Sequence, residues 1–340
     1  MKCFCTFENR PESWIGLKLL ALSLERHCRD FTLCVGMLEG QEEMAAWLRR
    51  RAPHAVVVPV PAFRDAWSVW SVKPRLMLQL FAQGYTDVTW LDADLIVLRD
   101  LAPLLAPLDD DTVLMARELD YPFDFNRPVL EAYGMEPKRE LAGGVNTCLM
   151  RMTPRHEPLL HRLMECMDAP FFRDQTSLPP DRRMIKWHYD QTIMEMLLSC
   201  GDASWTPSAP VELIPAGSGV IQELGATRYY LKDRLRNGLG LNRPWLVHCL
   251  GMKPWDRNPR ARYVRADAVF SAFAEQYRDE VDEPMPWTRQ GGLSNVFARV
   301  LSLGQPHWMG IGHCALGRAW QLVTRHRDPV APGLRTAQPS

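Results

Sequence analysis

The sequence has no apolar run approaching the roughly 18 residues that a membrane span requires. Its opening, MKCFCTF, has neither the long apolar stretch nor the small-residue cleavage site of a secretory signal. A soluble, cytoplasmic chain is expected. Neither sign of charge is in excess, since 40 Lys and Arg balance 40 Asp and Glu. No overall field therefore draws the chain to nucleic acid, and any such attraction has to be local. A zinc site built on Cys3-x-Cys5 needs a second pair at suitable spacing, and none follows. The nine cysteines sit mostly in apolar runs, which suits reduced core thiols in a reducing compartment. No G-x-G-x-x-G follows the first apolar run, so the dinucleotide fingerprint of a dehydrogenase is missing. Internal repeats and low-complexity blocks are absent too.

What is present is ample apolar material, 46% of 340 residues, enough for a sizeable core. KCFCTF reads as a strand, WIGLKLLALSLERHC as an amphipathic helix and DFTLCVGML as a second strand. EEMAAWLRRRA and HAVVVPVP give another helix and strand, and SVKPRLMLQLFAQGY a helix ending at Gly84. This β-α-β alternation predicts an α/β fold with a mostly parallel sheet, whose ligands collect beyond the carboxyl ends of the strands. TVLMARE and GGVNTCLMRM read as later strands, HEPLLHRLMECM and DQTIMEMLLSC as later helices. The composition changes at about Pro284, which predicts a catalytic domain over residues 1–283, a helical appendage over 284–330 and a flexible tail over 331–340.

Two stretches carry chemistry. In VTWLDADLIVLRDL the apolar strand from Val88 to Leu91 is interrupted by Asp92, Ala93 and Asp94, and Leu95 to Leu98 resume it. Two acids at a strand tip repel each other unless a cation lies between them, and oxygen ligands suit Mg²⁺ or Mn²⁺. The alternative is a turn capped by Asp94, with Asp92 bonded to neighbouring backbone. The second stretch, VHCLGMKPW, follows a strand-like WLV. An imidazole, His248, is a common third ligand for a metal held by two carboxylates. Gly251 and Lys253 suit a diphosphate cradle. Taken alone, His248 also fits a satisfied core histidine, and Lys253 a solvated surface charge.

Together, LDAD after an apolar strand, the distal HCLGMKPW, and RLMLQL, GGVNTCLM and YDQTIMEMLL between them resemble the glycogenin and lipopolysaccharide galactosyltransferase family, glycosyltransferase family 8. The resemblance runs over residues 1 to about 256. It implies a GT-A (Rossmann-like) fold, with a mixed, mostly parallel central sheet flanked by helices. It also implies a nucleotide-diphosphate-sugar donor, usually a UDP-sugar, with Mn²⁺ or Mg²⁺ bridging its phosphates. Position by position, Asp92, Asp94 and His248 would hold the metal. Thr6, Trp14, Arg75, Ala93, Gly251 and Lys253 would contact the donor together with the two aspartates. Asn146, Asp190 and Gln191 would line the sugar near its anomeric carbon. Retention at that carbon is expected, by front-face attack or by a covalent route through Asp190. The spacing departs from the family where Met252 alone separates Gly251 from Lys253.

Two other functions compete. A haloacid-dehalogenase-type phosphatase also uses Asp-x-Asp after a strand, but normally near the start of its domain, and here three β-α units precede it. A sugar-nucleotide-binding protein without turnover would keep the same fold. The acceptor stays open among a glycan, a lipid-linked glycan, a protein side chain and a small molecule. The loop over residues 119–139 has no aligned counterpart, and its Asp120 and Asp124 read as solvated loop acids. From Trp287 to His326 the chain mixes Trp and Phe with Arg and His. That composition suits peripheral contact with an anionic membrane, or helices packed back on the domain.

Overall fold

The computed structural model describes residues 1–63, 68–118, 123–184, 187–214, 219–222, 235–236, 239, 241–250, 253–255 and 267–288. The strands are β1 (Lys2–Phe7), β2 (Thr32–Met37), β3 (Ala55–Pro59), β4 (Asp87–Leu91), β5 (Leu95–Val97) and β6 (Val113–Arg117). They continue with β7 (Glu136–Pro137), β8 (Val145–Met152), β9 (Cys200–Gly201), β10 (Val211–Leu213), β11 (Val220–Gln222) and β12 (Leu246–His248). The helices are α1 (Trp14–His27), α2 (Glu42–Arg51), α3 (Val72–Ala82), α4 (Ala102–Leu105) and α5 (Arg127–Tyr133). After them come α6 (Glu157–Asp168), α7 (Pro170–Ser177), α8 (Tyr189–Ser199) and α9 (Asp267–Ala274).

Seven strands form one sheet in the order β10-β6-β8-β4-β1-β2-β3. Neighbours run parallel except at β8, which is antiparallel to both β4 and β6. The two-residue period of the strands feeds two cores. Phe4, Leu33, Val35 and Leu91 enter one with α1 and α2, while Cys3, Cys5, Cys34, Val88 and Trp90 enter the other with α3, α6 and α8. All eight described cysteines are free and buried, the core thiols that the apolar runs predicted.

One expectation is corrected. Leu95–Leu98 do not resume the strand that Asp92 interrupts; β5 leaves the main sheet and forms the edge of a separate three-stranded sheet, β11-β12-β5. Two aspartates with an alanine between them turn the chain, and the backbone of Leu95 donates back to the Asp92 carbonyl at 3.2 Å. The run on either side is equally apolar, so its pattern does not reveal the change of sheet.

At the far end of the chain, Phe270, Tyr277, Val281 and Met285 are buried in the core that α1 and α2 share. The change of composition at Pro284 thus falls inside a packed segment. Residues 289–340, with most of the expected appendage, the tail and the membrane-facing reading, lie outside the described residues. Among the described residues, no helix is long and apolar enough to cross a membrane.

The central strands are tied by one buried charge pair. Arg151 of β8 is 1% exposed and donates to both carboxylate oxygens of Asp87 at 3.1 and 2.9 Å. Its remaining nitrogen donates to the carbonyls of Asp109 and Thr112 at 2.6 and 2.9 Å, fixing the turn that enters β6. Removing one partner of such a pair leaves the other charge in the core. Arg151→Met is expected to lower stability by about 3–5 kcal/mol. Urea unfolding measures this, and a loss under about 1 kcal/mol would contradict the pair's structural role.

Candidate metal centre and active site

The parallel strands β1, β2 and β4 end at one edge of the main sheet, and the antiparallel β8 begins there. Asp92 follows β4 and still pairs with β8, its backbone donating to the Cys148 carbonyl at 2.8 Å. Asp94 is brought to His248 by backbone register. β12 runs antiparallel to β5 with His248 opposite Leu95, and the Cys249 N–H donates to the Asp94 carbonyl at 3.0 Å. The imidazole Nε2 then lies 3.3 Å from Asp94 Oδ1. Ligand atoms of Asp92, Asp94 and His248 all lie within 4.8 Å of one another. Among the described residues it is the only group of three such side chains close enough to share an ion. The two carboxylates suit Mn²⁺ or Mg²⁺ and the imidazole favours Mn²⁺, the softer of the two, so the residues fit a divalent cation.

Lysines flank each acid. The Lys253 ammonium is ion-paired with Asp94 Oδ2 and donates to the Cys249 carbonyl. Burial acts to raise the Asp94 pKa, but Lys253 and His248 outweigh it and hold that carboxyl well below the usual range. Burial likewise works against the Lys253 charge, and Asp94 overcomes it and raises the ammonium pKa. Lys73 lies 3.0 Å from Asp92 Oδ1 and 3.0 Å from Asp190 Oδ2, and donates to Thr147 Oγ1 at 3.1 Å. Its pKa is raised as well, because Asp190 and Asp92 together exceed the burial penalty. A lysine in the first turn of α3 faces the positive end of the helix dipole, an unfavourable placement that the two acids offset.

Lys73 joins the acid cluster to the second group of expected residues. Asp190 and Gln191 open α8, immediately after Tyr189, whose φ of +50° lies in the left-handed region that aromatic residues seldom occupy. Trp70 stacks on the Tyr189 ring at 4.0 Å and 7°, and Arg183 donates to its hydroxyl. These contacts hold the turn that aims Asp190 inward. Glu118, directly after β6, accepts from Asn146 Nδ2 at 2.8 Å and from Gln191 Nε2 at 3.2 Å. The register shift of β6 against β8 between Met115 and Ala116 sets Asn146 opposite Ala116. Beside them lies a small cleft of about 40 Å³ lined by Glu118, Asp124, Asn126, His188, Gln191 and Glu195.

The remaining expected residues divide. Thr6 is fully buried near the end of β1, and among the described residues its hydroxyl has no hydrogen-bond partner. Trp14 opens α1 half-buried against the core, its indole N–H likewise without a partner among the described residues. Ala93 lies buried between the two aspartates. Arg75 is not brought to the cluster: it donates to Ser71 Oγ at 2.8 Å, lies 3.9 Å from Asp168, and leaves 48% of its side chain exposed. Gly251 and Asp120 lie outside the described residues. On family position Lys73 ranks behind Arg75, and Glu118 is not singled out. The helical period offered a signal for the first, since Val72, Leu76, Met77 and Leu80 mark the buried face beside Lys73, while Arg75 falls on the exposed side.

No family model and no curated protein matches the chain by sequence. Solved structures do match. Galactosyltransferase LgtC, in complex with donor and acceptor sugar analogs, superposes with a TM-score of 0.52 at 16% identity, over 84% of this chain and 99% of that one. The apo WbbM bifunctional glycosyltransferase gives 0.53 at 14% identity, over 84% of this chain and 50% of that one. The chain has the GT-A fold of these glycosyltransferases. GlyE of Streptococcus pneumoniae TIGR4, of which the chain spans 62%, gives 0.49 at 14% identity. At such identities a GT-A likeness fixes the architecture, and the reaction has to be argued from the site.

Lys73 separates two carboxylates that would otherwise face each other in a largely buried place. Lys73→Met is expected to cost about 3–5 kcal/mol in urea unfolding at pH 7. A raised lysine pKa contributes stability that is complete below the ordinary value of about 10.4 and is lost only as pH climbs through the raised one. The difference between the variant and the wild type should therefore be the same at pH 7 and pH 9. A cost that halves over that interval would contradict the assignment.

Proposed function

We propose that the chain is a metal-dependent glycosyltransferase that moves a hexose from a nucleotide-diphosphate sugar, a UDP-sugar in this reading, to an acceptor hydroxyl with retention of configuration. The observation that carries it is the convergence of Asp92, Asp94 and His248 at the carboxyl edge of a GT-A sheet. Lys253 adds a cation to the same point. Mn²⁺ or Mg²⁺ held by the three side chains would supply Lewis-acid stabilisation to the departing diphosphate.

The chain's own residues do the rest. Breaking the bond between the anomeric carbon and the phosphate oxygen builds negative charge on the diphosphate, and the Lys253 ammonium stands ready to meet it. Asn146 and Gln191, their amides fixed by Glu118, hold hydroxyls of the hexose on the other side. Asp190 is paired with Lys73, which weakens it as a nucleophile and favours front-face attack over a covalent intermediate. In that route the acceptor hydroxyl attacks the face the diphosphate leaves, and a phosphate oxygen takes its proton.

The phosphatase alternative needs Asp92 as a free nucleophile. Its Oδ1 instead accepts from the Trp90 indole at 2.7 Å and pairs with Lys73 at 3.0 Å, which disfavours attack.

A panel of nucleotide sugars assayed with Mn²⁺ is expected to show donor hydrolysis that ethylenediaminetetraacetate abolishes. Asp94→Asn should cut that turnover by about 10²- to 10³-fold in a protein that still folds, with a lowered melting temperature because the carboxylate facing the Lys253 ammonium is lost. Full turnover in the variant, or phosphoester hydrolysis without any nucleotide sugar, would overturn the reading.

A further inference from the structure

A lysine ammonium swings on a flexible four-carbon stem and gives up rotamer entropy when it is fixed. The root of Lys253 is held by its neighbour two residues on. Trp255 sits against the first turn of α1, where Gly16 leaves a gap: a Cβ there would stand 3.1 and 3.2 Å from Trp255 Cζ2 and Cη2. The same Cβ would stand 2.8 Å from the carbonyl oxygen of Ala93, the residue between the two aspartates. One bare point of α1 backbone thus supports both the acid turn and the arm that carries Lys253.

The other side of Trp255 is closed by the C-terminal segment. Its ring lies 5.9 Å from Phe270 and 5.8 Å from Trp287, and those two rings lie 6.5 Å from each other. The segment is fastened to α1 and α2. The Trp47 indole donates to the Val281 carbonyl at 3.1 Å, Arg26 pairs with Glu280 at 2.7 Å, Arg50 with Asp282 at 3.2 Å, and Lys18 with Glu283. Phe270 and Val281 are fully buried.

We propose that residues 267–288 are a clasp that positions Lys253 toward the donor diphosphate, with Gly16, Phe270 and Trp287 acting through Trp255. The inference deepens the transferase reading and rests on Lys253 as a diphosphate contact. It gives the C-terminal segment a part in donor binding through its ring contacts with Trp255.

A double-mutant cycle on the full chain tests it, with UDP and Mn²⁺ as the probe and affinity read by calorimetry. Trp287→Ala should weaken UDP by about 10-fold, the lower end of what supports behind a ligand-binding group contribute. Trp287→Phe should restore most of that loss. In a Lys253→Ala background, Trp287→Ala should weaken UDP no further. An equal loss in both backgrounds, or none in either, would overturn the clasp and leave the transferase reading standing. Unchanged UDP affinity in Lys253→Ala alone would overturn the diphosphate contact itself, and the clasp with it. If Trp287→Ala fails to fold, Phe270→Leu runs the same cycle.

Discussion

The antiparallel pairing of Leu95–Val97 with Leu246–His248 is the constraint on which the candidate site depends. Asp94 and Lys253 are 159 positions apart in the chain. Neither an acidic turn nor a distal histidine is a cation site alone. Backbone hydrogen bonds across three residue pairs bring them together, and the Cys249 N–H to Asp94 carbonyl bond closes the turn against the strand. The small sheet therefore works as a bracket: it takes the chain out of the main sheet at Asp92 and returns His248 to that edge. Val97 N–H donates to Ser23 Oγ at 3.0 Å, which fixes the bracket to α1.

The charges follow from that bracket. Three acids, Asp92, Asp94 and Asp190, gather at one strand edge with two lysines among them. Each lysine is held positive by the acids it faces, against burial that would discharge it. The arrangement resists rearrangement, because removing any one charge strands another in a poorly solvated place. A site of this kind is preorganised. Its dipoles and charges are already oriented before a substrate arrives, which is the condition under which electrostatic assistance is most effective.

Much of this was legible in the residues. The alternation of strand and helix through Gly84 gave the layered architecture because each element's period shows which face is buried. Asp92 and Asp94 stood out as charges without company in an apolar run. The departure of β5 was not legible, since LIVL after Asp94 looks like the strand before it. Nor does a period of two reveal that β8 runs antiparallel within an otherwise parallel sheet. Lys73 and Arg75 differ only in the helix face they occupy, and family position pointed to the arginine while the burial pattern of α3 points to the lysine. Glu118 could be found only through its two amide partners, one on β8 and one on α8. The Trp255 seat depends on the absence of a side chain at Gly16, a contact that no local pattern encodes.

The central claim is that Asp92, Asp94 and His248 form a divalent-cation site that faces a nucleotide diphosphate. Anomalous diffraction from crystals grown with Mn²⁺ and UDP tests it most directly. The account predicts a single strong manganese peak among the three side chains, in contact with both phosphates of UDP. UDP bound at the sheet edge with no manganese at these residues, or manganese bound elsewhere in the chain, would contradict it.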